Sequence, residues 1–454
     1  MAILSISTLC FCLSGYSVTA GTINQIGGHI TSDATWTPTD TYRVIADTTI
    51  DSTVTLTISP RVRVQFADGV SLIVEGSLKA TGTDSNPITF TSDSVSPAPG
   101  AWGTIQFKGS DTEFFSLSNV KVEFATQGVT VESAGSTEIT KSELVNCSES
   151  GITVNGNAWF VNSNLIISEN KIMQNKNGIS TDDSSYYSGL TISGNTICSN
   201  TQNGIYLESY GFHGSEIHNI TCSYNNVSSN GLNGIYLSAY VNGEEWEGPS
   251  KISNVTFLNN IVYSNSQDGI YLYTHSTSYG NTDSYISDCK FSNNNIFSNL
   301  QNGISLYSST YHDNSNSEIS NITISSNTLS SNGENGLSFN SLSSNNNIIF
   351  HNNFINNNIQ LTKSTLGYSW DNGSEGNYWS SYNGNDANHD GIGDTPYVIY
   401  ANNIDNYPLM AQYPIPEYQI PELSLFLILP LILSMTLLLL IILHRRKTSL
   451  QSET

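Results

Sequence analysis

The sequence predicts an all-β fold in which one chain winds into a solenoid of short parallel strands. The first observation is a hexapeptide that reads QNGIYL at 202–207 and returns as LNGIYL, QDGIYL, QNGISL and ENGLSF at intervals of about thirty residues. The second is that apolar residues come in pairs two positions apart, which buries alternate side chains of a strand. The third is that Asn, Ser and Gly separate these pairs, which is typical of bends. Together they indicate a parallel β-helix of stacked coils.

The repeating unit consists of three short strands and three bends. Its reference point is a glycine, found at Gly151, Gly178, Gly204, Gly234, Gly269, Gly303 and Gly336. Apolar residues stand one and three positions after this glycine and again seven and twelve positions before it, as Ile197 and Ile192 do for Gly204. We expect the glycine to serve a turn with positive φ or a close approach of two backbones.

Asparagines keep phase with the same glycines. One set lies four positions before the glycine and comprises Asn200, Asn230, Asn265, Asn299 and Asn332. A second lies nine positions before it and comprises Asn195, Asn225, Asn260, Asn294 and Asn327. Equal positions of stacked coils are about 4.8 Å apart, so these amides are predicted to hydrogen-bond from coil to coil. The alternative is a loosely repetitive disordered tract, which the constant phase disfavours.

The N-terminal third shows the alternation in another form, with Val62, Val64 and Phe66 followed by further glycine-separated apolar runs. This segment resembles the opening coils of right-handed parallel β-helix proteins, although Arg61 stands where they usually have glycine. The resemblance covers about residues 40–365 and implies a right-handed, single-stranded β-helix of the pectate-lyase-like superfamily fold.

The segment 377–410 reads NYWSSYNGNDANHDGIGDTPYVIYANNIDNYPLM. It resembles the closing segment of NosD-like β-helix surface proteins, many of them extracellular or archaeal. The apolar stretch and basic end that follow resemble archaeal surface-protein sorting tails. A copper role does not carry over, because His213, His275 and the other His and Met residues are scattered and form no cluster of soft ligands.

The chain divides into seven predicted parts. These are a signal peptide (1–20), N-terminal β-helix coils (21–110), β-helix repeats (111–365), a cap with a calcium loop (366–412), a linker (413–422), a transmembrane helix (423–443) and a cytoplasmic tail (444–454). The basic residues 445–447 place the N-terminal body outside the cell. Six sequons agree with this, at Asn146, Asn219, Asn226, Asn254, Asn321 and Asn372. The net charge of −23 excludes a nucleic-acid partner.

The loop DANHDGIGD predicts a calcium site in the cap. Its ligands alternate along the loop and are Asp386, Asn388, Asp390, the backbone carbonyl of Ile392, and Asp394. Tyr397 stands where a calcium sensor has its bidentate Glu, so affinity suited to exterior calcium is expected. The alternative is an Asn/Asp/Gly-rich turn that binds no metal.

Inserts that follow the strand pairs carry aromatic residues to one side of the rod. The candidate ligand-binding residues are Tyr210, Tyr240, Trp246, Tyr273, Tyr279, Tyr307 and Tyr311. Aromatic rings beside polar groups suit contact with sugars, and a stacked surface suits polymers. We expect Tyr240, Tyr273 and Tyr307 to rise as one column. The alternative is that these rings pack on one another to order the loops.

These observations favour an anchored cell-surface β-helix that binds extracellular carbohydrate, or a cell-envelope polymer in a structural or adhesive role. The second hypothesis is a carbohydrate-active enzyme, a lyase or a hydrolase. A lyase would need a basic residue beside calcium, yet no arginine lies between Arg63 and Arg445. A hydrolase needs two placed carboxylates, and the pairs 182–183 and 244–245 qualify only by being acidic. We therefore assign no catalytic residue.

Overall fold

The computed structural model describes residues 22–108, 114–132, 136–155, 165–181, 186–211, 215–241, 249–276, 283–311, 316–362, 368–400 and 402–415. These residues form 43 β-strands and no α-helix. Accordingly, no described helix has the length and apolar character needed to cross a membrane. The predicted signal peptide (1–20) and transmembrane segment (423–443) lie outside the described residues.

The strands, numbered in chain order, pair in parallel from coil to coil and form four stacks. Stack 1 contains β2 (Ala34–Trp36), β4 (Thr55–Ile58), β7 (Ser77–Thr81), β10 (Phe114–Ser118), β13 (Ser136–Thr140), β16 (Leu165–Ser168), β20 (Leu190–Ser193), β23 (Ser215–Ser223), β26 (Ser250–Leu258), β30 (Lys290–Ser292), β34 (Thr323–Ser325) and β38 (Ile348–Phe350). Stack 2 contains β1 (Ile23–Ile30), β3 (Thr41–Ile50), β5 (Arg63–Phe66), β8 (Ile88–Ser92), β11 (Val120–Glu123), β14 (Glu143–Val145), β17 (Lys171–Met173), β21 (Thr196–Cys198), β24 (Asn226–Ser228), β27 (Ile261–Tyr263), β31 (Asn295–Phe297), β35 (Thr328–Ser330), β39 (Asn353–Ile355) and β41 (Tyr378–Trp379).

Stack 3 begins with the second halves of β1 and β3 and continues with β6 (Leu72–Val74), β9 (Ile105–Phe107), β12 (Val129–Val131), β15 (Ser150–Val154), β18 (Asn177–Thr181), β22 (Ile205–Gly211), β25 (Ile235–Val241), β28 (Ile270–Ser276), β32 (Ile304–Thr310), β36 (Asn335–Asn340) and β40 (Ile359–Leu361). Stack 4 contains β19 (Tyr186–Ser188), the first halves of β23 and β26, β29 (Ser284–Ser287), β33 (Ser317–Ser320) and β37 (Ser343–Asn345). The predicted unit of three strands therefore holds for the early coils, and a fourth strand is added from residue 186 onward.

The interior is filled by the apolar positions that the repeat predicts. Side chains twelve positions before the glycine stack directly, so that Cys222 pairs with Phe257 and Phe257 with Phe291. The two phenylalanine rings lie 4.8 Å apart between centroids and are nearly parallel. In the N-terminal coils Val64 and Phe66 are fully buried in the same way. Because each coil repeats its neighbour, one continuous apolar core runs through the rod.

Both predicted asparagine ladders are confirmed, and the described residues contain a third. The first runs through Asn170, Asn195, Asn225, Asn260, Asn294, Asn327, Asn352 and Asn377. The second runs through Asn175, Asn200, Asn230, Asn265, Asn299, Asn332 and Asn357. The third, which the sequence analysis missed, runs through Asn177, Asn203, Asn233, Asp268, Asn302 and Asn335.

The ladders have a direction. In the first two, the backbone N–H and the amide Nδ2 of each inner rung donate to the Oδ1 of the next coil, whereas in the third they donate to the preceding coil. The backbone N–H of Asn377, the last rung of the first ladder, therefore needs an acceptor beyond it. The cap supplies one, because the Asp405 carboxylate accepts the Asn377 backbone N–H at 2.8 Å and the Trp379 indole N–H at 2.8 Å. Burial raises the pKa of Asp405 to about 6.

The repeated glycine serves close approach and not positive φ. A Cβ at Gly234 would lie 2.6 Å from the Gly269 carbonyl oxygen and 2.6 Å from a Val262 methyl group. The left-handed conformation falls instead on non-glycine residues of the bends, among them Asn259 (φ 54°) and Ser264 (φ 55°). Arg61, at the turn where the resemblance expects glycine, has a φ of 70°.

The cap closes the C-terminal end of the rod. Trp370 and Trp379 are fully buried, and Trp379 stacks on Phe354 of the last full coils at 4.3 Å. Strands β42 (Tyr397–Tyr400) and β43 (Asn403–Asp405) form an antiparallel hairpin that carries Asp405. The chain then returns along stack 2, where the Tyr413 backbone makes two hydrogen bonds to the Asn353 side chain.

Candidate functional site

Four adjacent strands of stack 3 are longer than their neighbours. Strands β22, β25, β28 and β32 each span seven residues and pair in register over most of that length. The predicted inserts are therefore partly strand, since the first residues of each continue the ladder. Side chains alternate along these strands, so that one set enters the core and the other faces outward.

Small inward side chains explain why the strands continue beyond the core. After Leu207 the next inward residue is Ser209, and the equivalent positions of the following coils hold Ala239, Thr274 and Ser308, all of them buried. Serines of stack 4 face them across a narrow seam. The Ser215 hydroxyl donates to the Ser209 carbonyl at 2.6 Å, and Ser308 donates to the Ser284 carbonyl at 2.9 Å. The seam joins stacks 3 and 4 into a thin extension of the rod.

The outward positions of these four strands hold aromatic rings. We call this surface the tyrosine platform, and it comprises Tyr206, Tyr210, Tyr236, Tyr240, Tyr271, Tyr273, His275 and Tyr307. All eight residues are partly exposed. In the sequence they occupy alternate positions of four strands that are neighbours in the sheet. Strand pairing therefore fixes their relative placement.

Most of the rings pack face to face along the rod. The centroids of Tyr206 and Tyr236 are 5.4 Å apart, with 9° between the ring planes. Tyr210 and Tyr240 are 5.5 Å apart at 11°, and Tyr240 stacks in turn on His275. The alternative that these aromatic residues pack on one another is thus observed within the strands. Since the faces cover one another, we expect a ligand to meet ring edges and hydroxyl groups.

The predicted column of Tyr240, Tyr273 and Tyr307 is wrong in register. Tyr240 pairs with Tyr210 and His275, while Tyr273 pairs with Tyr307. The physical reason is that the strands continue without a break past the expected start of the inserts. Ser238, and not Tyr240, is therefore the residue of β25 that pairs with Tyr273. Tyr240 lies two residues further along β25 and pairs with His275.

The structure brings some of the predicted ligand-binding residues together and leaves others untested. Tyr210, Tyr240, Tyr273 and Tyr307 lie on the platform, and Tyr311 follows β32 with 70% of its surface exposed. Trp246 and Tyr279 lie outside the described residues. Sequence reasoning missed four members, namely Tyr206, Tyr236, Tyr271 and His275. The repeated GIYL motif contained the clue, because its tyrosine lies between two inward residues and must face outward.

Burial shapes the ionisation of the platform. It raises the pKa of Tyr273 to about 12 and also raises the pKa values of Tyr236 and Tyr271. Burial lowers the pKa of His275, whose Nδ1 lies 2.7 Å from the Ser309 hydroxyl. The Tyr206 hydroxyl donates to the Glu208 carboxylate. At neutral pH Tyr236, Tyr271, Tyr273 and His275 are therefore uncharged.

The predicted calcium loop is ordered by its own side chains. Asp386 accepts the Gly391 backbone N–H at 2.9 Å, and Asp390 accepts the Ile392 N–H at 2.9 Å. Asp394 accepts the Ala387 N–H, and the Asn388 amide donates to Asp390. In the described residues no group of three or more His, Cys, Asp or Glu is arranged to hold a metal. These bonds connect the predicted ligands to one another and to the loop backbone, and the calcium site stays a prediction.

The six sequon asparagines occupy different environments. Asn219, Asn254, Asn321 and Asn372 are exposed, whereas Asn146 and Asn226 are partly buried. The first three lie at bends between stacks 4 and 1, each with a positive φ. Exposure permits a glycan at these bends, and glycosylation stays a prediction at all six.

Comparison with known proteins identifies the class of fold. Residues 103–283 match the family model described as right handed beta helix region. Residues 28–126 match the model described as pectate-lyase like beta helix domain. The chain thus contains right-handed, pectate-lyase-like β-helix domains. No curated protein sequence matches it.

Solved structures show similarity at low identity. The Dettilon tailspike protein (gp208) superposes with a TM-score of 0.41 and 17% identity, covering 73% of this chain and 60% of the tailspike. This chain therefore spans about 60% of the tailspike's length. The periplasmic alginate epimerase AlgG superposes with a TM-score of 0.37 and 16% identity, covering 71% of this chain and 77% of the epimerase. No functional conclusion rests on either similarity.

Proposed function

We propose that this chain is a cell-surface β-helix protein that binds extracellular carbohydrate through the tyrosine platform, in a recognition, structural or adhesive role at the cell envelope. The observation that carries the proposal is the platform itself. Eight partly exposed aromatic side chains lie together on the outward positions of four neighbouring strands. Tyrosine hydroxyls donate and accept hydrogen bonds, as sugar hydroxyls do, and ring edges supply apolar contact.

The shape of the platform favours a polymer over a small ligand. Its rows repeat at the spacing of paired strands, about 4.8 Å, and extend over four coils. In the sequence, β25 is followed by the segment 242–248, which contains Trp246. An extended chain of sugars laid along the rod would meet hydroxyl groups at regular intervals. A linear polysaccharide is therefore the proposed ligand class.

We further propose that the protein is an anchored, NosD-like surface protein of archaeal type. The apolar stretch 423–443 and the basic residues after it support a single membrane anchor with the body outside the cell. Calcium at Asp386, Asn388, Asp390, Ile392 and Asp394 would add a hard-cation site to the cap. The described body ends at Ile415, shortly before the proposed linker meets the anchor.

The second candidate function is a carbohydrate-active enzyme, a polysaccharide lyase or a glycoside hydrolase. Glu208, which accepts a hydrogen bond from Tyr206, is the one carboxylate on the described part of the platform. A hydrolase needs a second carboxylate roughly 5–10 Å away. The segment 242–248, which follows β25 in the sequence, contains three candidates, Glu244, Glu245 and Glu247.

The full chain, solubilised in detergent, should be screened on an array of polysaccharides and then incubated with each polymer that binds. We expect retention of at least one polysaccharide with no shortening or unsaturation of the polymer. Turnover that persists through purification would establish the enzyme instead. Failure to retain any glycan would overturn carbohydrate binding.

A further inference from the structure

The charge of the tyrosine platform limits the sugars that it can bind. Among the outward side chains of β22, β25, β28 and β32, Glu208 is the described residue that carries a charge at neutral pH. The other outward positions hold tyrosine, serine and His275, and the Nδ1 of His275 lies against the Ser309 hydroxyl at 2.7 Å. The Glu208 carboxylate repels an anionic ligand, and the phenols and the imidazole supply no positive charge to offset that repulsion.

Lys and Arg are scarce in the part of the sequence that forms the platform. The printed sequence contains no Lys or Arg between Lys176 and Lys251, and none between Lys251 and Lys290 or between Lys290 and Lys363. The segments that follow β22, β25, β28 and β32 in the sequence therefore contain no Lys or Arg. Lys251 belongs to stack 4, and its ammonium lies 3.2 Å from the Glu216 carboxylate.

Acidic polysaccharides need positive partners. Carboxylates and sulfates of such polymers are bound in proteins by Arg forks, by Lys or by bound cations, because an uncompensated anion loses its hydration without replacement. The composition is acidic instead. The segment that follows β25 in the sequence contains Glu244, Glu245 and Glu247, and the chain as a whole has a net charge of −23. Such a field lowers the local concentration of polyanions.

From these observations we infer that the tyrosine platform selects uncharged polysaccharides and rejects uronate-containing or sulfated ones. The inference rests on the proposed function and names its ligand class. Neutral sugars present hydroxyl groups and apolar ring C–H edges, which match the phenol hydroxyls and ring edges of Tyr206, Tyr236 and Tyr271. Glu208 fits the same class, since a partly exposed carboxylate accepts hydrogen bonds from sugar hydroxyls.

The test compares neutral and acidic polymers on the full chain in detergent. The neutral probes are dextran, a soluble β-glucan and a mannan, and the acidic probes are alginate and pectate, all freed of divalent cations. We expect at least one neutral polymer to bind at least about tenfold more tightly than either acidic polymer. We also expect its affinity to change little between low and high salt, because no ion pair forms.

A charge reversal sharpens the test. Glu208→Lys places a cation beside Tyr206 and should raise alginate affinity, in a salt-sensitive manner, while Glu208→Gln should not. The parent protein could instead bind alginate or pectate as tightly as any neutral polymer, and Tyr236→Ala could lose that binding. This result would overturn the selectivity but not carbohydrate binding at the platform. Absence of binding to every probe would instead overturn the proposed function and, with it, this inference.

Discussion

The Oδ1 atom of Asp268 accepts two hydrogen bonds from Asn302, one from the backbone N–H and one from the amide Nδ2, both at 2.7 Å. Asp268 thus occupies a rung of the third ladder that asparagine fills in the neighbouring coils. On its other side its backbone N–H donates to Asn233 Oδ1. An asparagine here would also donate its Nδ2 to that oxygen, as Asn233 does to Asn203 at 3.1 Å. An ionised carboxylate has no proton for this bond, whereas a protonated one does.

Burial is the main cause that raises the pKa of Asp268 to about 6, from an ordinary value of 3.8, with the nearby Glu334 adding to the rise and bonds from Asn302 opposing it. The native state then binds this proton more tightly than the unfolded chain. The stabilisation is fully present below about pH 4 and is lost as the pH rises through about 6. We predict that Asp268→Asn raises the free energy of unfolding at pH 8 by an amount on the order of 2–3 kcal/mol.

Thermal unfolding of parent and variant at pH 4, 6 and 8 measures this difference. The gain should grow with pH, because only the parent loses a proton. Asp288→Asn is the matched control, since Asp288 is exposed in the same coil and accepts a hydrogen bond from Asn321. A gain in melting temperature that is equal at all three pH values would contradict the role given to the Asp268 proton.

Removal of one amide from the second ladder should destabilise the coil that contains it. Asn265 donates to Asn299 at 2.9 Å and accepts from Asn230 at 2.9 Å, and it is buried. Asn265→Leu removes the acceptor of the Asn230 backbone N–H and amide, together with the amide donor to Asn299, at a cost of roughly 1–3 kcal/mol in unfolding free energy. Chemical denaturation measures it, with exposed Ser266→Leu as the control. An unchanged midpoint for Asn265→Leu would show that the ladder contributes little.

Close approach of the coils should make the repeated glycine intolerant of a methyl group. In Gly234→Ala the new Cβ meets the Gly269 carbonyl, Val262 and, at 2.8 Å, the Asn265 amide. Overpacking of this kind costs roughly 1–3 kcal/mol. Gly27→Ala is the control, because its nearest contact is Ala46 Cβ at 3.3 Å. Equal melting temperatures for the two variants would contradict the packing described.

The calcium proposal makes a separate prediction for the cap. If the loop binds calcium, addition of millimolar calcium should raise the melting temperature, and Asp390→Ala should abolish the effect. Asp371→Ala offers a comparison, since Asp371 caps a turn elsewhere in the same segment through the Gly373 N–H. Titration calorimetry of the full chain with calcium is the second measurement. If it detects no heat of binding, the proposed calcium site is rejected.

The sequence predicted the fold because each coil must match its neighbours. Ile197 and Asn200 keep fixed distances from Gly204, and every later coil repeats them, so that register, core and two ladders follow from spacing alone. The third ladder escaped notice because Asp268 interrupts its run of asparagines. The fourth stack escaped notice because serines such as Ser215 and Ser250 resemble loop residues in sequence, although they are fully buried.

The candidate site was predicted only in part, for a related reason. Inserts of unequal length hide the point at which each strand ends, and the small residues Ser209 and Ala239 give no apolar alternation. Sequence spacing therefore aligns Tyr240 with Tyr273, whereas strand pairing in the structure places Tyr240 beside His275. Strand continuation depends on contacts across the seam with stack 4, and a single strand's sequence does not contain them.

The most direct test of the central claim compares polysaccharide binding by two tyrosine variants of the full chain. Tyr236→Ala removes a ring between Tyr206 and Tyr271 on the platform. Tyr263→Ala removes a ring of a similar stacked pair, 4.9 Å from Phe297, on stack 2. With both variants folded, we predict that Tyr236→Ala weakens binding of the retained polymer about tenfold while Tyr263→Ala binds as the parent does. Equal affinity of all three proteins, or equal loss in both variants, would contradict binding at the tyrosine platform.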